Sequence, residues 1–358
     1  MAALALPARE RAHADRRSAA SVKVELIRNF ADVPADALDP AEQETLLDRL
    51  DWFRRTWEHC PPGRAPLIAH ATAGTASAYL MLALTEHGRA VALASWYTLA
   101  YRPIFTGNPD AKTQARLLTA IAHVLRREAR RVVLDPVPSD VAAQLVNAFV
   151  SAFWFSMRTP HVANWTVDVT GQSFTQYWAE RPGQLRSTAK RKAAKAGLAL
   201  TVHTNFDEAA WNDYESIYAE SWKPDEGSLA FLRATALAKG ASGRLRLGIA
   251  HKDGRAIAAQ LWTVDEGVAY IHKLAHRIDV DALSPGTILT KAMFEHVIDR
   301  DQVTVVDFGT GDDRYKADWM TDRHMLERVE LYNLASVRGV GGAARALAAQ
   351  LVARLRTL

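Results

Sequence analysis

Apolar positions along this chain switch repeatedly between a spacing near four and a spacing of two. Leu46, Leu47, Leu50, Phe53 and Trp57 share one helical face, so residues 40–59 predict a helix. Residues 66–71, 78–84 and 90–97 read as consecutive strands, with His87-Gly88 as a hairpin turn. Helices at 111–129 and 139–152 flank a strand at 131–134, and 164–169 reads as a further strand. The second half follows a similar order, with a strand at 198–203 and helices at 207–222 and 231–238. An antiparallel meander follows over 244–251, 256–264 and 268–276, turning at Asp253-Gly254 and Glu266-Gly267. A helix over 285–299, a strand over 303–308 and a short helix near 312–320 complete the pattern. The last run, 341–358, carries Leu347, Leu351 and Leu355 at four-residue spacing. It predicts a docking helix, with a membrane-surface helix as the rival for which large apolar residues are few.

This order implies a mixed α/β (α+β) fold made of a duplicated unit. At 358 residues the chain is long for one core and suggests two domains. We expect a basic tail over 1–23, one domain over 24–164, a second over 165–340 and the closing helix, the join falling between about 165 and 197. Hydrophobic content of 49% and charged content of 23% are those of a globular protein, and no apolar run approaches a membrane span. The start lacks a secretory pattern, and the single Cys60 excludes a disulfide framework and a cysteine-based zinc site, so the expected location is the cytoplasm. No metal is expected. A net charge of +4 permits an anionic ligand without demanding one.

Two stretches carry candidate chemistry. Val306-Asp307-Phe308-Gly309-Thr310-Gly311 has the acidic residue and Gly-x-Gly of a methyltransferase nucleotide loop, but too little chain follows to finish such a sheet. Asp307-Phe308-Gly309 also spells a kinase triplet, yet no glycine-rich nucleotide loop precedes it. The other stretch is Ser284-Pro285-Gly286-Thr287, where Ser284 suits an N-cap and Pro285 the first helical position. It lies between the strands at 268–276 and 303–308. If those strands diverge, a pantetheine arm could pair with the exposed backbone of Leu274, Ala275 and His276, with its pyrophosphate at the helix start. Lys273 and Arg277 would offset the phosphate charge. His272 and His276, expected on one face of their strand, and Asp307 are the candidate bases.

The run Ala269-Tyr270-Ile271-His272-Lys273-Leu274, then Ser284-Pro285-Gly286, Asp307-Phe308-Gly309-Thr310-Gly311, Tyr315-Lys316 and Trp319, resembles the GNAT-superfamily acyltransferases. It is most similar to the CelD-type branch associated with cellulose biosynthesis, itself similar to the FemAB peptidyltransferases. The resemblance covers about 165–335 well and 24–164 only in outline. It implies two tandem GNAT-like domains with mixed central sheets, the first degenerate, and acyl-CoA (acetyl-CoA) as donor. The usual pyrophosphate loop, Arg/Gln-x-x-Gly-x-Gly/Ala, is absent, with Ser284-Pro285-Gly286 in its place.

The implied reaction moves an acyl group directly to an amine or hydroxyl of a small molecule or glycan, as in polysaccharide or envelope biosynthesis. By the same resemblance Tyr315 is the candidate acid for the departing thiolate, the alternative being packing beside Trp319. Lys316 would bind an acidic acceptor or the donor phosphates. Trp222 and Lys223, ahead of Pro224, would line the acceptor cleft together with Trp319. The FemAB relatives use aminoacyl-tRNA, so tRNA is the alternative donor; Arg186, Lys190, Arg191, Lys192 and Lys195 form a basic helical face that fits it. A catalytically inactive GNAT pair acting as a binding module is the reading outside enzymology.

Overall fold

The computed structural model describes residues 21–34, 38, 45–221, 223 and 227–355. The tail expected over 1–23 falls almost wholly outside them, as do Trp222 and the first residues of the helix expected at 40–59. That helix, α1, spans Leu50–His59; ahead of it Leu46–Asp48 is a 3-10 turn in which Thr45 Oγ1 accepts from Leu47 N–H at 3.2 Å.

The described strands are β1 (Lys23–Ile27), β2 (Ala65–Ala73), β3 (Ala76–Leu84), β4 (Arg89–Ala92), β5 (Ile104–Thr106), β6 (Arg131–Val137), β7 (Trp154–Asp168), β8 (Ala199–His203), β9 (Leu245–Lys252), β10 (Arg255–Asp265), β11 (Val268–His276), β12 (Val305–Thr310) and β13 (Asp322–Asn333). They join one mixed sheet in the order β1-β2-β3-β4-β6-β13-β7-β12-β11-β10-β9-β8, with β5 paired to β3 off that path. The hairpin turns at His87-Gly88, Asp253-Gly254 and Glu266-Gly267 hold both residues at positive φ, the geometry that matches strand twist.

After α1 come α2 (Ala111–Leu125), α3 (Ser139–Ser151), α4 (Phe174–Ala179), α5 (Gly183–Ala196), α6 (Glu208–Ala219), α7 (Leu229–Ala241), α8 (Pro285–Asp299) and α9 (Val337–Leu355). α8 keeps the bounds its sequence predicts. The strand expected at 90–97 stops at Ala92. Ser95 and Thr98 bond to each other there, Ser95 N–H to Thr98 Oγ1 at 3.0 Å and Thr98 N–H to Ser95 O at 2.9 Å, and fold the chain into a turn.

The two halves exchange elements. β13, late in the chain, inserts between β6 and β7. In return Leu46, Leu47, Trp52, Tyr97 and Leu99 sit in the core formed mainly by α6, α7 and β9–β11. Arg49 Nη2 lies 2.6 Å from Asp265 Oδ1, so an ion pair crosses the same seam. Among the described residues, no helix is long and apolar enough to cross a membrane.

Candidate active site

The site begins where two parallel strands part. β11 and β12 pair only at Val268–Val305, Ala269–Val306 and Tyr270–Asp307. Immediately beyond, each strand carries a bulge. In β11 the register against β10 jumps from Ile271–Trp262 to Lys273–Leu261, leaving His272 as the extra residue. In β12 the register against β7 jumps from Asp307–Thr166 to Gly309–Trp165, leaving Phe308 as the extra residue. A bulge bends and twists its strand, and two at one level drive the strands apart. At its far end the open edge of β11 is closed by a bridge between Ser221 and Arg277, with Ile278 N–H donating to Glu220 O at 3.4 Å.

A cleft of about 200 Å³ fills this split. Its walls come from Ile271–Leu274, from Phe308–Gly311, from Asp313, Tyr315 and Lys316, and from Lys223. Trp96, Tyr97 and Leu99 of the first half complete it. Those three were not singled out from the sequence; the Ser95–Thr98 turn that presents them reads there as the end of a strand. Lys223, Tyr315 and Lys316 line this one cleft together.

The Phe308–Gly311 wall is held by charge. Lys316 is buried, and its Nζ donates to the carbonyls of Phe308 at 3.2 Å, Gly309 at 3.1 Å and Thr310 at 2.7 Å. Burial pushes its pKa down to about 8, opposed by the Asp313 and Asp307 carboxylates. Asp307 Oδ1 accepts from Gly309 N–H at 2.8 Å and from Asn164 Nδ2 at 3.1 Å, and burial raises its pKa. Gly309 needs its φ of 73°, and a Cβ there would meet Leu99 at 3.1 Å, so glycine keeps this corner of the cleft open. Tyr315 sits edge-on to Phe308 with ring centroids 5.6 Å apart.

Several candidate roles change. The bulge puts His272 and His276 on opposite faces of the sheet. His272 is stacked near Trp52, with its Nε2 2.8 Å from Thr263 Oγ1. His276 faces α8, its Nε2 3.1 Å from Asp281 Oδ1. Burial, with the Lys239 and Lys273 charges, takes the His272 pKa down to about 3. A ring that holds a proton so weakly is a neutral hydrogen-bonding group at pH 7 and a poor base. Arg277 is not available to phosphates: its guanidinium is used by Ala256 O at 2.8 Å, Ser216 Oγ at 2.8 Å and Glu220. Lys273 lies over the rings of Tyr97 and Tyr218, on the side of the sheet away from α8. Trp319 is core, stacked on Phe294 at 5.2 Å, and its carbonyl accepts from Tyr177 Oη and Arg181. Trp222 lies outside the described residues.

Ser284 differs too. Its φ is 54° and its side chain makes no cap bond, so it closes the 3-10 turn Ile278–Leu283 and hands the chain to α8 in a left-handed conformation. Pro285 does occupy the first helical turn. The amides of Gly286 and Thr287 follow it, ahead of the bond that Ile288 N–H makes to Ser284 O at 3.3 Å. Lys192 of α5 donates to the Ala282 carbonyl, which sets a cation beside this helix start. Among the described residues no three His, Cys, Asp or Glu side chains group as a metal site.

The His272 environment makes a pH prediction. Below pH 6.5 an unfolded chain takes up a proton that the native ring refuses down to about pH 3. Stability therefore falls as pH falls through that window, by about 1.4 kcal/mol per pH unit from this group. Urea unfolding of His272→Gln at pH 7 and pH 5 should show a slope shallower by about one proton; an unchanged slope would clear His272 of this role.

Comparison with known proteins places the split inside a stretch that is similar to a described family. Residues 181–317 match the family model Acetyltransf_6, described as an acetyltransferase (GNAT) domain. No curated protein sequence matches the chain. Among solved structures it is similar to FemX (12% identity, TM-score 0.58, covering 86% of this chain and 96% of that one). A conserved protein of unknown function from Bacteroides thetaiotaomicron gives a TM-score of 0.52 at 12% identity, over 87% of this chain and 100% of that one. The C-terminal domain (DUF2156) of an Agrobacterium fabrum protein assigned as a lysylphosphatidylglycerol synthetase gives 0.51 at 12% identity, over 77% and 85%. At this identity the likeness is one of fold.

Proposed function

We propose that the split between β11 and β12 binds acyl-CoA and that the chain transfers the acyl group directly to an amine or hydroxyl acceptor. The observation that carries this reading is the paired bulges at His272 and Phe308, which open a cleft within the stretch matched by the GNAT family. The space, about 200 Å³, suits a thioester and a short acyl chain. The pantetheine arm would lie along the open edge of β11, Ile271–His276 by number, and its pyrophosphate would meet the Gly286 and Thr287 amides. The acceptor would enter past Trp96 and Lys223. Tyr315 is the proton donor for the departing thiolate, and Asp313 is the carboxylate on the cleft wall that would take the acceptor's proton.

The test is a thermal shift with acetyl-CoA, paired with turnover. At a hundredfold excess over Kd, binding adds about 2.7 kcal/mol of stability. Gly286→Glu should abolish the shift by setting a carboxylate at the pyrophosphate position. Tyr315→Phe should keep the shift and lower turnover by roughly 100-fold. No shift at millimolar acetyl-CoA would overturn the reading. A second reading, transfer from aminoacyl-tRNA, is favoured by the exposed face of α5, where Arg186, Lys190, Arg191 and Lys195 are all solvent-facing. A salt-sensitive tRNA gel shift lost on replacing Lys190, Arg191 and Lys195 by Glu would support it.

A further inference from the structure

A second cleft, sharing no residue with the first, is built on like charges set side by side in the sheet. β4 and β6 are parallel neighbours, and their register puts Arg89 beside Arg131. The next strand, β13, puts Tyr332 beside Arg131 on the other side. Residues in register on adjacent strands face the same way, so two guanidiniums and a ring share one surface. Arg131 lies over the Tyr332 ring, with its Cζ 5.1 Å from the centroid. Equal charges on neighbouring strands repel, and Arg89, which is exposed, does not gain burial in return.

α9 adds two more cations to this surface. A Cβ at Gly342 would fall 3.1 Å from the Tyr332 ring, and one at Gly339 would collide with Asn333 O, so the helix is seated on β13 by its glycines. Arg338 and Arg345 lie four residues before and three after Gly342, on the same helical face, and so bracket that contact. About 10 Å of helix separates them. With Arg89, Arg130 and Arg131 they line a cleft of about 1100 Å³ between α9 and the β3–β4 turn. The turn is pinned in place, since Arg130 N–H donates to Gly88 O and Arg130 O accepts from Asn333 N–H, both at 3.0 Å. Two glutamates also line the cleft, and both are already taken. Glu86 pairs with Arg64; Glu330 holds Arg131 at 2.6 Å and Arg328 at 3.0 Å and accepts from Tyr332 Oη at 2.6 Å. Among the described residues Arg89, Arg130, Arg338 and Arg345 have no carboxylate partner.

We propose that this cleft binds a small soluble ligand carrying a run of phosphate groups, as inorganic polyphosphate or a nucleoside polyphosphate does. Guanidinium forks match phosphate oxygens in pairs, and several phosphates are needed to meet arginines that come from β4, the turn ahead of β6 and α9. The ligand would supply the counter-charge that the cleft lacks and relieve the repulsion between Arg89 and Arg131. Single-stranded nucleic acid fits less well, because the Tyr332 ring is buried against Arg131 and Gly342 and offers no face for a base to stack on. The proposal is independent of the donor at the other site.

Titration calorimetry of the full chain with inorganic tripolyphosphate at about 0.1 M salt tests it. Saturable binding is expected, with sulfate at matched ionic strength a much weaker competitor. Arg338→Glu with Arg345→Glu, and separately Arg89→Glu, should each weaken binding by at least about tenfold. These side chains are exposed, so the melting temperature without ligand should not fall, and it serves as the fold control. For Arg89→Glu it should rise slightly, because a like-charge pair becomes an opposite one. ATP binding more tightly than tripolyphosphate would assign the cleft to a nucleotide; the reverse order would assign it to a bare phosphate chain. No binding at about 1 mM tripolyphosphate, equal binding of sulfate, or binding that both variants retain overturns the proposal. Preference for an RNA duplex over tripolyphosphate, lost with the same arginines, would also overturn it and give the surface to nucleic acid.

Discussion

Asp265→Ala is expected to lower stability by about 3–5 kcal/mol, the cost of leaving buried cations without their anion. The Asp265 carboxylate is closed off from solvent at the end of β10. It holds Arg49 at 2.6 Å, Lys239 at 2.7 Å and Arg244 at 2.9 Å. Arg49 and Lys239 are themselves buried, whereas Arg244 is partly in water and has Glu266 nearby. Burial already pulls the Lys239 pKa down, and the bond to Asp265 is what opposes it. The loss should appear as a lower urea midpoint. Since Arg49 belongs to the first half, the two halves should also loosen, seen as protease cutting around α1. Glu266→Ala, at the exposed end of the same network, should cost less than about 1 kcal/mol. Equal effects from both substitutions would contradict this account.

Lys316→Met should cost about 2–3 kcal/mol and remove most turnover. Three carbonyls of the Phe308–Thr310 wall share the one ammonium, and a thioether gives them no donor. The wall would then turn its carbonyls toward water and shift Gly309, whose position keeps the cleft open. Lys316→Arg should not restore function, because a flat guanidinium fork cannot meet three carbonyls converging on a point. Urea unfolding with acyl-transfer assays separates the outcomes: a variant with native stability and turnover would show the clamp to be dispensable.

Much of this architecture is legible in the chain, for local reasons. The meander β9–β11 is bounded by Asp253-Gly254 and Glu266-Gly267, whose positive φ values a window of a few residues announces. α8 carries its own start in Pro285 and its own apolar face. Local pattern does not announce β13, because its stabilising partners are remote. Glu327 pairs with Arg158 and Glu330 with Arg131, both at 2.6 Å, so a run rich in charged residues becomes a central strand. β7 was seen only at its end, because Pro160 argues against a central strand. The structure tolerates it at a bulge, where the register against β13 skips His161.

At the candidate site, Lys223, Tyr315, Lys316 and the Gly309–Gly311 loop were recognisable as residues worth attention. What the chain did not disclose is direction. One bulged residue, His272, reverses the facing of everything after it in β11 relative to simple alternation. It separates His272 from His276, and Lys273 follows it onto the face away from α8. Spacing likewise could not show that Arg277 and Trp319 would be consumed by packing, since their partners lie far away along the chain.

The place of β13 has a consequence for how the molecule comes off the ribosome. β6 and β7 emerge well before the strand that must lie between them. Until it arrives, each of the two keeps an unpaired edge on the side that β13 will fill. An earlier portion of the chain is thus completed only by a later one, and its safety from aggregation in the interval rests on how quickly translation reaches Asn333.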